Sequence, residues 1–326
     1  MKILVIRFSS IGDIVLTTPV VRCLKTQLGC EVHYATKKEY ASVLHGNPYI
    51  DKFHFLENDL DALIKQFKSE KFDYVIDLHN NLRTSHIKLR LGGKWSRFNK
   101  LNIQKWLLVN FKTNRLPDIH IVNRYIQTAE KLGITYDGKG LDFFIKPEEE
   151  LDVLRLLPTE FREKYVCLVP GAKFATKSIP VEKCVEIIQN ISRPIIILGG
   201  PAEAKTGEAI AQLSGRDDVL NFCGKISLGK SAGVIQHAHS VITADTGLMH
   251  IAASFDKKII SVWGNTVPEF GMYPLLPENG RGKSIISEVK GLSCRPCSKI
   301  GYAECPKGHF KCMYEQNTQL ISQYSA

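Results

Sequence analysis

No stretch of the sequence reaches the roughly 18 consecutive apolar residues that a membrane-spanning helix needs, although hydrophobic residues make up 44% of the chain. The opening Met1-Lys2-Ile3-Leu4-Val5-Ile6-Arg7 has the outline of a signal peptide. Arg7 and Asp13 interrupt it and no small-residue cleavage site follows, so it reads as a buried first strand and the protein as cytoplasmic. The first strand-to-helix turn, Arg7 to Pro19, lacks G-x-G-x-x-G, which removes a dinucleotide fingerprint from the place where it would stand. Low-complexity segments, fixed-period repeats and nucleic-acid-binding motifs are missing too, and no nucleic-acid partner is expected.

What is present is an alternation. Apolar, β-branched runs at 2–6, 32–35, 53–56 and 72–78 are separated by helical stretches near 12–28, 39–45, 60–68 and 82–91, and a helix over 121–132 closes the half. The second half repeats this with strands near 165–169, 194–200, 219–222, 240–243 and 258–263, and helices over 181–191, 202–213, 229–238 and after Asp245. Such alternation implies parallel sheets covered by helices on both faces, here two doubly wound α/β domains in tandem. The Gly-, Pro- and Glu-rich stretch 135–159 is the expected linker. It places one domain at 1–155, a second at 156–312, and a closing helix within 313–326 that would cross back to the first.

The net charge of +10 suits an anionic partner, either a phosphorylated substrate or an anionic membrane surface. The charge is densest from Arg83 to Lys112, where Lys88, Arg90, Lys94, Arg97, Lys100 and Lys105 are interleaved with Trp95, Phe98 and Trp106. This segment reads either as a solvated basic face or as one turned toward a membrane or an acceptor.

Chemistry concentrates where strands end, because ligands of open parallel sheets bind there. In Ala244-Asp245-Thr246-Gly247-Leu248-Met249-His250, Asp245 and Thr246 suit a helix N-cap and Gly247 lets a ligand approach the backbone. His250 lies one turn after Thr246, and bare N–H groups at such a helix start favour a phosphate. The turn Pro170-Gly171-Ala172 leads to Lys173 and Lys177, which suit a diphosphate; Gly199-Gly200 offers backbone access near the same edge. Asp13 opens the helix after the first strand, where it either caps that helix or, ionised, takes a proton from a substrate hydroxyl. Asp59-Leu60-Asp61 has the form of a metal-binding DxD motif, but acids at a helix start explain it.

Of nine cysteines, Cys23, Cys30, Cys167, Cys184 and Cys223 lie in apolar segments and read as core thiols. Cys294, Cys297, Cys305 and Cys312 cluster as C-x2-C-x7-C-x6-C, with His309 nearby. Such a cluster in a cytosolic chain is more often a metal site than a set of disulfides, and four thiolates would suit a structural zinc. The short spacing and the absence of a second C-x2-C pair argue against it.

Together these turns resemble glycosyltransferase family 9, the ADP-heptose:lipopolysaccharide heptosyltransferases. The resemblance is carried by Ser9-Ser10-Ile11-Gly12-Asp13, by 73–78, by Pro170-Gly171-Ala172 with Lys177 and Pro180, by Gly199-Gly200, by Asp245 to Ala253, by Gly264 to Pro268, and by Cys294, Cys297 and Cys312. It implies a GT-B fold, two Rossmann-like domains facing an interdomain cleft, with the acceptor on the N-terminal and the nucleotide-sugar on the C-terminal domain. It implies inverting transfer of a heptose or related sugar from an ADP-sugar to a lipopolysaccharide core or related glycolipid, with no cofactor or catalytic metal, and with peripheral contact at the inner face of the inner membrane. Asp13 would be the general base and Lys177 would neutralise the leaving diphosphate. Asp245 would hold sugar hydroxyls. Thr246, Gly247, Met249, His250, Gly171 and Gly200 would line the donor, and Ser9, Ser10 and Gly12 the acceptor side. Ile179 replaces the family's usual Trp, Ala172 and Lys173 replace paired hydroxyls, and Asn265 replaces a frequent Pro. These departures leave the sugar and the base open.

Two other classes compete. A nucleotide-sugar epimerase would need a nicotinamide fingerprint and a Tyr-x-x-x-Lys pair; Tyr34 to Lys38 has the spacing but no suitable helix. A non-catalytic nucleotide- or glycan-binding protein would have no use for a base at Asp13.

Overall fold

The computed structural model describes residues 1–161 and 165–325. The chain forms two compact units, one of residues 1–100 with 119–144, the other of 101–118 with 145 onward.

In chain order the first hundred residues give β1 (Lys2–Ile6), α1 (Ile11–Val15), α2 (Thr18–Leu28), β2 (Glu31–Lys37), β3 (Lys52–Leu56), α3 (Leu60–Glu70), β4 (Tyr74–Asp77), α4 (Leu82–Leu91) and β5 (Trp95–Arg97). Next come α5 (Asn102–Phe111), which belongs to the second unit, and α6 (Ile121–Gln127). The five strands are all parallel in the order β3-β2-β1-β4-β5. Leu4, Ile6 and Val75 point to one face and meet Leu63, Ile64 and Phe67 of α3 and Ile87 of α4. The single helix expected over 12–28 is two. Pro19 has no N–H to give the carbonyl four residues back, and the Thr17 and Thr18 hydroxyls take over, donating to Ile14 O (2.7 Å) and Val15 O (2.8 Å). Buried Arg22 of α2 fastens the tail of the unit through two bonds to Asp137, one to Asp142 and one to the Gly140 carbonyl.

The second unit adds α7 (Pro147–Leu156), β6 (Val166–Val169), α8 (Val181–Gln189), β7 (Ile195–Ile197), α9 (Ala204–Ser214), β8 (Val219–Asn221), α10 (Leu228–His237), β9 (Ser240–Ala244), α11 (Gly247–Ser254), β10 (Lys258–Trp263), β11 (Ser284–Glu288), α12 (Lys311–Tyr314) and α13 (Thr318–Ser325). Its six strands are parallel in the order β11-β10-β9-β6-β7-β8. Side chains alternate between two faces. Val166, Leu168, Ile242, Ala244, Ile260 and Val262 meet α8, α9 and α13. On the opposite face Cys167 and neighbouring Tyr165 reach the Val234 carbonyl of α10.

Three expectations change here. The stretch 135–159, expected as linker, contains α7: Pro147 at its first turn and Glu148, Glu149 and Glu150 behind it are helix-start chemistry. The boundary at 155/156 therefore falls inside a helix that packs on α10 through Val153 and Gly233, and the contact-defined change of unit comes at 144/145. The closing helix stays on its own unit. Thr318 bonds Glu186, Ser322 bonds the Ile187 carbonyl, and Ile321 enters the core; Ala326 lies outside the described residues. No helix of the described residues is long and apolar enough to cross a membrane.

A histidine pair is buried in the first unit, with His33 Nδ1 2.9 Å from His54 Nε2. His33 Nε2 lies 2.8 Å from Glu31 Oε1, which as a carboxylate only accepts, so His33 receives at Nδ1 the proton that His54 donates. His33, His54 and Glu70 are the one group of three close metal-ligating side chains among the described residues, but Lys2 (3.0 Å) and Lys52 (2.5 Å) already bond Glu70. Burial, with His33 alongside, holds His54 down to about 4. Its folded value lies below the unfolded one, so His54 leaves stability untouched above pH ~6.5. As pH falls from there toward 4 the unfolded chain binds the proton first, at a cost on the order of 3 kcal/mol. Denaturant unfolding of His54→Gln, which keeps a donor but does not titrate, should show a shallower loss over that window. An unchanged slope would assign the loss to other groups.

Candidate functional site

Both sheets reverse their strand order at a switch point, between β1 and β4 in the first and between β6 and β9 in the second. The charged residues singled out above collect at the carboxyl edges of these strands.

In the first unit β1 runs into Arg7, whose guanidinium donates to Ser9 O (2.7 Å) and Leu78 O (2.6 Å) and pairs with Asp13 at 2.7 Å. Ser10 donates its hydroxyl to the other Asp13 oxygen at 3.0 Å, and its amide at 3.4 Å. Burial alone would raise the Asp13 carboxyl; Arg7 and Ser10 outweigh it and bring it below its ordinary value. The side chain keeps 23% of its surface exposed, so the carboxylate is ionised, oriented and reachable. Gly12 is buried beneath it. At the end of β4, Asp77 accepts from the amides of His79 (3.0 Å) and Asn80 (2.7 Å) and from Arg97 (3.1 Å). Burial and the charges of Arg7 and Lys100 hold His79 down to about 4, so it is neutral at physiological pH. Arg7 and His79 were not singled out from the sequence. An arginine ending the first strand is the signal for one; the other has none.

In the second unit the loop after β6 folds back on itself. Ile179 N donates to Pro170 O (2.9 Å), and Ala172 N to Ser178 Oγ (3.1 Å). This turns Lys177 over the switch point, where Nζ pairs with Asp245 Oδ2 at 2.7 Å. Thr266, after β10, donates to the same oxygen at 3.0 Å. Three adjacent strands thus deliver one residue each. Thr246 caps α11 in extended geometry without a side-chain bond, and Gly247 begins the helix, partly exposed. Met249 and His250 are buried, so they shape the helix seat from behind.

At Gly171 and Gly200 the neighbour is the side chain of Glu203. The Glu203 carboxylate takes the Gly200 amide at 2.7 Å. Its chain lies where a Cβ on Gly171 would sit 2.2 Å from Glu203 Cγ, so only glycine fits there. Glu203 was missed; a glutamate three residues after a glycine at a helix start is the capping signal that could have found it. Asp59 accepts from Ala62 N at 3.0 Å and Asp61 pairs with Arg90, consistent with helix-start acids.

The cysteine loop braces this site. Arg295 donates to Gly264 O (2.6 Å) and Thr266 O (2.9 Å) and pairs with Glu288 at 2.7 Å, while Cys297 N reaches Asn265 O at 3.2 Å. Tyr302 N donates to Thr176 Oγ1 at 2.8 Å, beside Lys177. The Asn265 side chain is 1% exposed, and neither of its polar atoms has a partner among the described residues. All nine thiols are free. Burial and the neighbouring thiols push Cys297 up to about 11 and Cys312 to about 12, and Cys294 Sγ lies 3.9 Å from His309 Nε2.

Two all-parallel, doubly wound units in series, each with its charged residues at its own switch point, make up the GT-B architecture. The chain belongs to glycosyltransferase family 9 (heptosyltransferase), whose family model matches residues 60–301. It is 23% identical over 294 residues to lipooligosaccharide heptosyltransferase 2 of Haemophilus influenzae, covering 83% of this chain and 85% of that protein. A family 9 glycosyl transferase from Veillonella parvula superposes with a TM-score of 0.79 at 19% identity, covering 99% of this chain and 95% of the other. The E. coli heptosyltransferase WaaC with ADP does so at 0.70 and 20%, covering 99% and 98%. Family membership makes the protein a glycosyltransferase and sets aside the epimerase and non-catalytic readings.

Arg295→Ala leaves the largely buried Glu288 with only the exposed Lys290 at 4.0 Å and two carbonyls of the Gly264–Thr266 turn without their donor. The expected loss is roughly 3–5 kcal/mol, seen as a lower melting temperature. A variant as stable as the parent would remove the cysteine loop from the site's support.

Proposed function

We propose that the protein moves a heptose, or a related sugar, from an ADP-linked donor to a lipopolysaccharide core or related glycolipid acceptor, with inversion. The observation that carries this reading is the Lys177–Asp245–Thr266 cluster at the β6/β9 switch point beside the start of α11. The names of the relatives and the ADP bound to WaaC support the choice of donor and acceptor.

In the proposed reaction the acceptor oxygen attacks the anomeric carbon from the face opposite the diphosphate. The carbon–oxygen bond to the diphosphate breaks as the new one forms. The leaving β-phosphate gains negative charge, which the Lys177 ammonium and the α11 amide groups neutralise, so fixed protein charges do the work that a divalent cation would otherwise do. Asp245 turns a carboxylate oxygen toward sugar hydroxyls while keeping Lys177 in place. The acceptor proton goes to Asp13.

Asp13 lies outside the segment that the family model matches, so its role rests on its own chemistry: an ionised, partly open carboxylate at the β1 edge. A carboxyl held below its usual range accepts a proton only late, once bond formation has made the acceptor hydroxyl acidic. The cysteine loop acts through the Arg295 and Cys297 contacts to the Gly264–Thr266 turn, and Cys294, Cys297, Cys305 and Cys312 do not form a close metal-ligating group among the described residues.

Asp13→Asn keeps the side chain's shape and removes the base. Turnover should fall by about 10²–10⁴-fold while donor affinity measured calorimetrically stays within about threefold. The acid limb of the parent's rate profile should lie below pH ~4 and vanish in the variant. Retained turnover would move the base elsewhere.

A further inference from the structure

Between Leu78 and Pro117 there is no aspartate or glutamate, and the stretch holds nine of the chain's lysines and arginines. Almost the whole net charge of +10 therefore sits in these forty residues, and the remainder of the chain is close to neutral. The same stretch exposes large apolar side chains. On α5, Leu108 and Val109 face inward against Val267 and Phe270. At 100° per residue the opposite side of the helix carries Ile103, Trp106 and Phe111, and these are 72%, 53% and 62% exposed. The Trp106 and Phe111 rings touch edge to face at 5.2 Å.

A ten-residue surface helix with apolar residues on both sides has one side too many for a solvated position. We infer that the outer face of α5 docks on an anionic phospholipid bilayer, with Ile103, Trp106 and Phe111 entering the interfacial layer and Lys105, Lys112 and Arg115 of the same segment providing the electrostatic attraction. Aromatic and aliphatic side chains set in a basic surround are the composition of an interfacial helix. A second copy of this chain is a poor occupant, since it would bring two strongly basic stretches together. A saccharide offers little to Ile103 or Phe111. The inference deepens the glycolipid reading by naming where the protein meets the lipid that carries its acceptor, and it rests on that reading only for its purpose.

The test uses the full chain and vesicles of phosphatidylcholine alone or with roughly one-third phosphatidylglycerol. Co-sedimentation is expected with the anionic vesicles only, weakening as salt is raised. Trp106 emission should shift to the blue on binding, read against Trp106→Phe. The triple variant Ile103→Ser, Trp106→Ser, Phe111→Ser should bind those vesicles at least about tenfold less while its ADP affinity and melting temperature stay those of the parent. Failure to bind anionic vesicles, or equal binding by the triple variant, overturns the inference. So does concentration-dependent dimerisation that the triple variant abolishes. Sugar transfer to a water-soluble acceptor, measured without vesicles, tests the functional reading separately: transfer without vesicle binding leaves that reading standing and sinks this one, and vesicle binding without transfer does the reverse.

Discussion

The second unit is arranged around one ion pair. Lys177 and Asp245 come from loops 68 positions apart in the chain and meet at 2.7 Å because β6 and β9 are neighbours. A lysine on a flexible stem at a helix start would sample many positions; the Asp245 carboxylate limits it to one. The same carboxylate also accepts from Thr266, so a third strand reports to the same oxygen. Preorganisation of this kind places the charge before the substrate arrives and spares the reorganisation that water would need.

The first unit reaches a similar result by different means. Arg7 is spent on Asp13 and on two backbone carbonyls, so its charge serves to orient a carboxylate and keep it ionised. In both units the elements that hold the charged residues are themselves held by buried polar contacts: Asp77 on the His79 and Asn80 amides, and Arg295 on the Gly264–Thr266 turn. Gly264 shows how tight this is, because a Cβ there would lie 2.5 Å from Met313 Cε and 2.7 Å from the Thr176 carbonyl. The short turn that delivers Thr266 exists only because that position has no side chain.

Much of this was legible in the sequence. Runs such as 240–244 and 258–263 are buried on both faces and mostly apolar, with Ser240, Thr243 and Ser261 the buried exceptions, and so mark central parallel strands. Asp245 and Lys177 stood out because polar residues at strand ends have few other reasons to be there. The elements that were missed are those whose identity depends on distant partners. β11 is a strand because β10 offers it an edge, and α5 is anchored by Val267 and Phe270, more than 150 residues away in the chain. The break at Pro19 and the helix start at Pro147 were present as local signals and were outweighed by the surrounding composition. Arg7, Glu203 and Arg295 were missed for a further reason: each acts through a contact that only the folded chain creates.

We propose that Lys177, held by Asp245, is the charge that meets the donor's diphosphate. The direct measurement is calorimetric titration of ADP into the parent protein, Lys177→Ala and Asp245→Asn. Lys177→Ala is expected to weaken ADP binding by about tenfold or more, at least about 1.4 kcal/mol. Asp245→Asn, which releases the lysine from its fixed position but keeps its charge, should weaken ADP less than Lys177→Ala does. ADP binding to Lys177→Ala with the parent's affinity would contradict it.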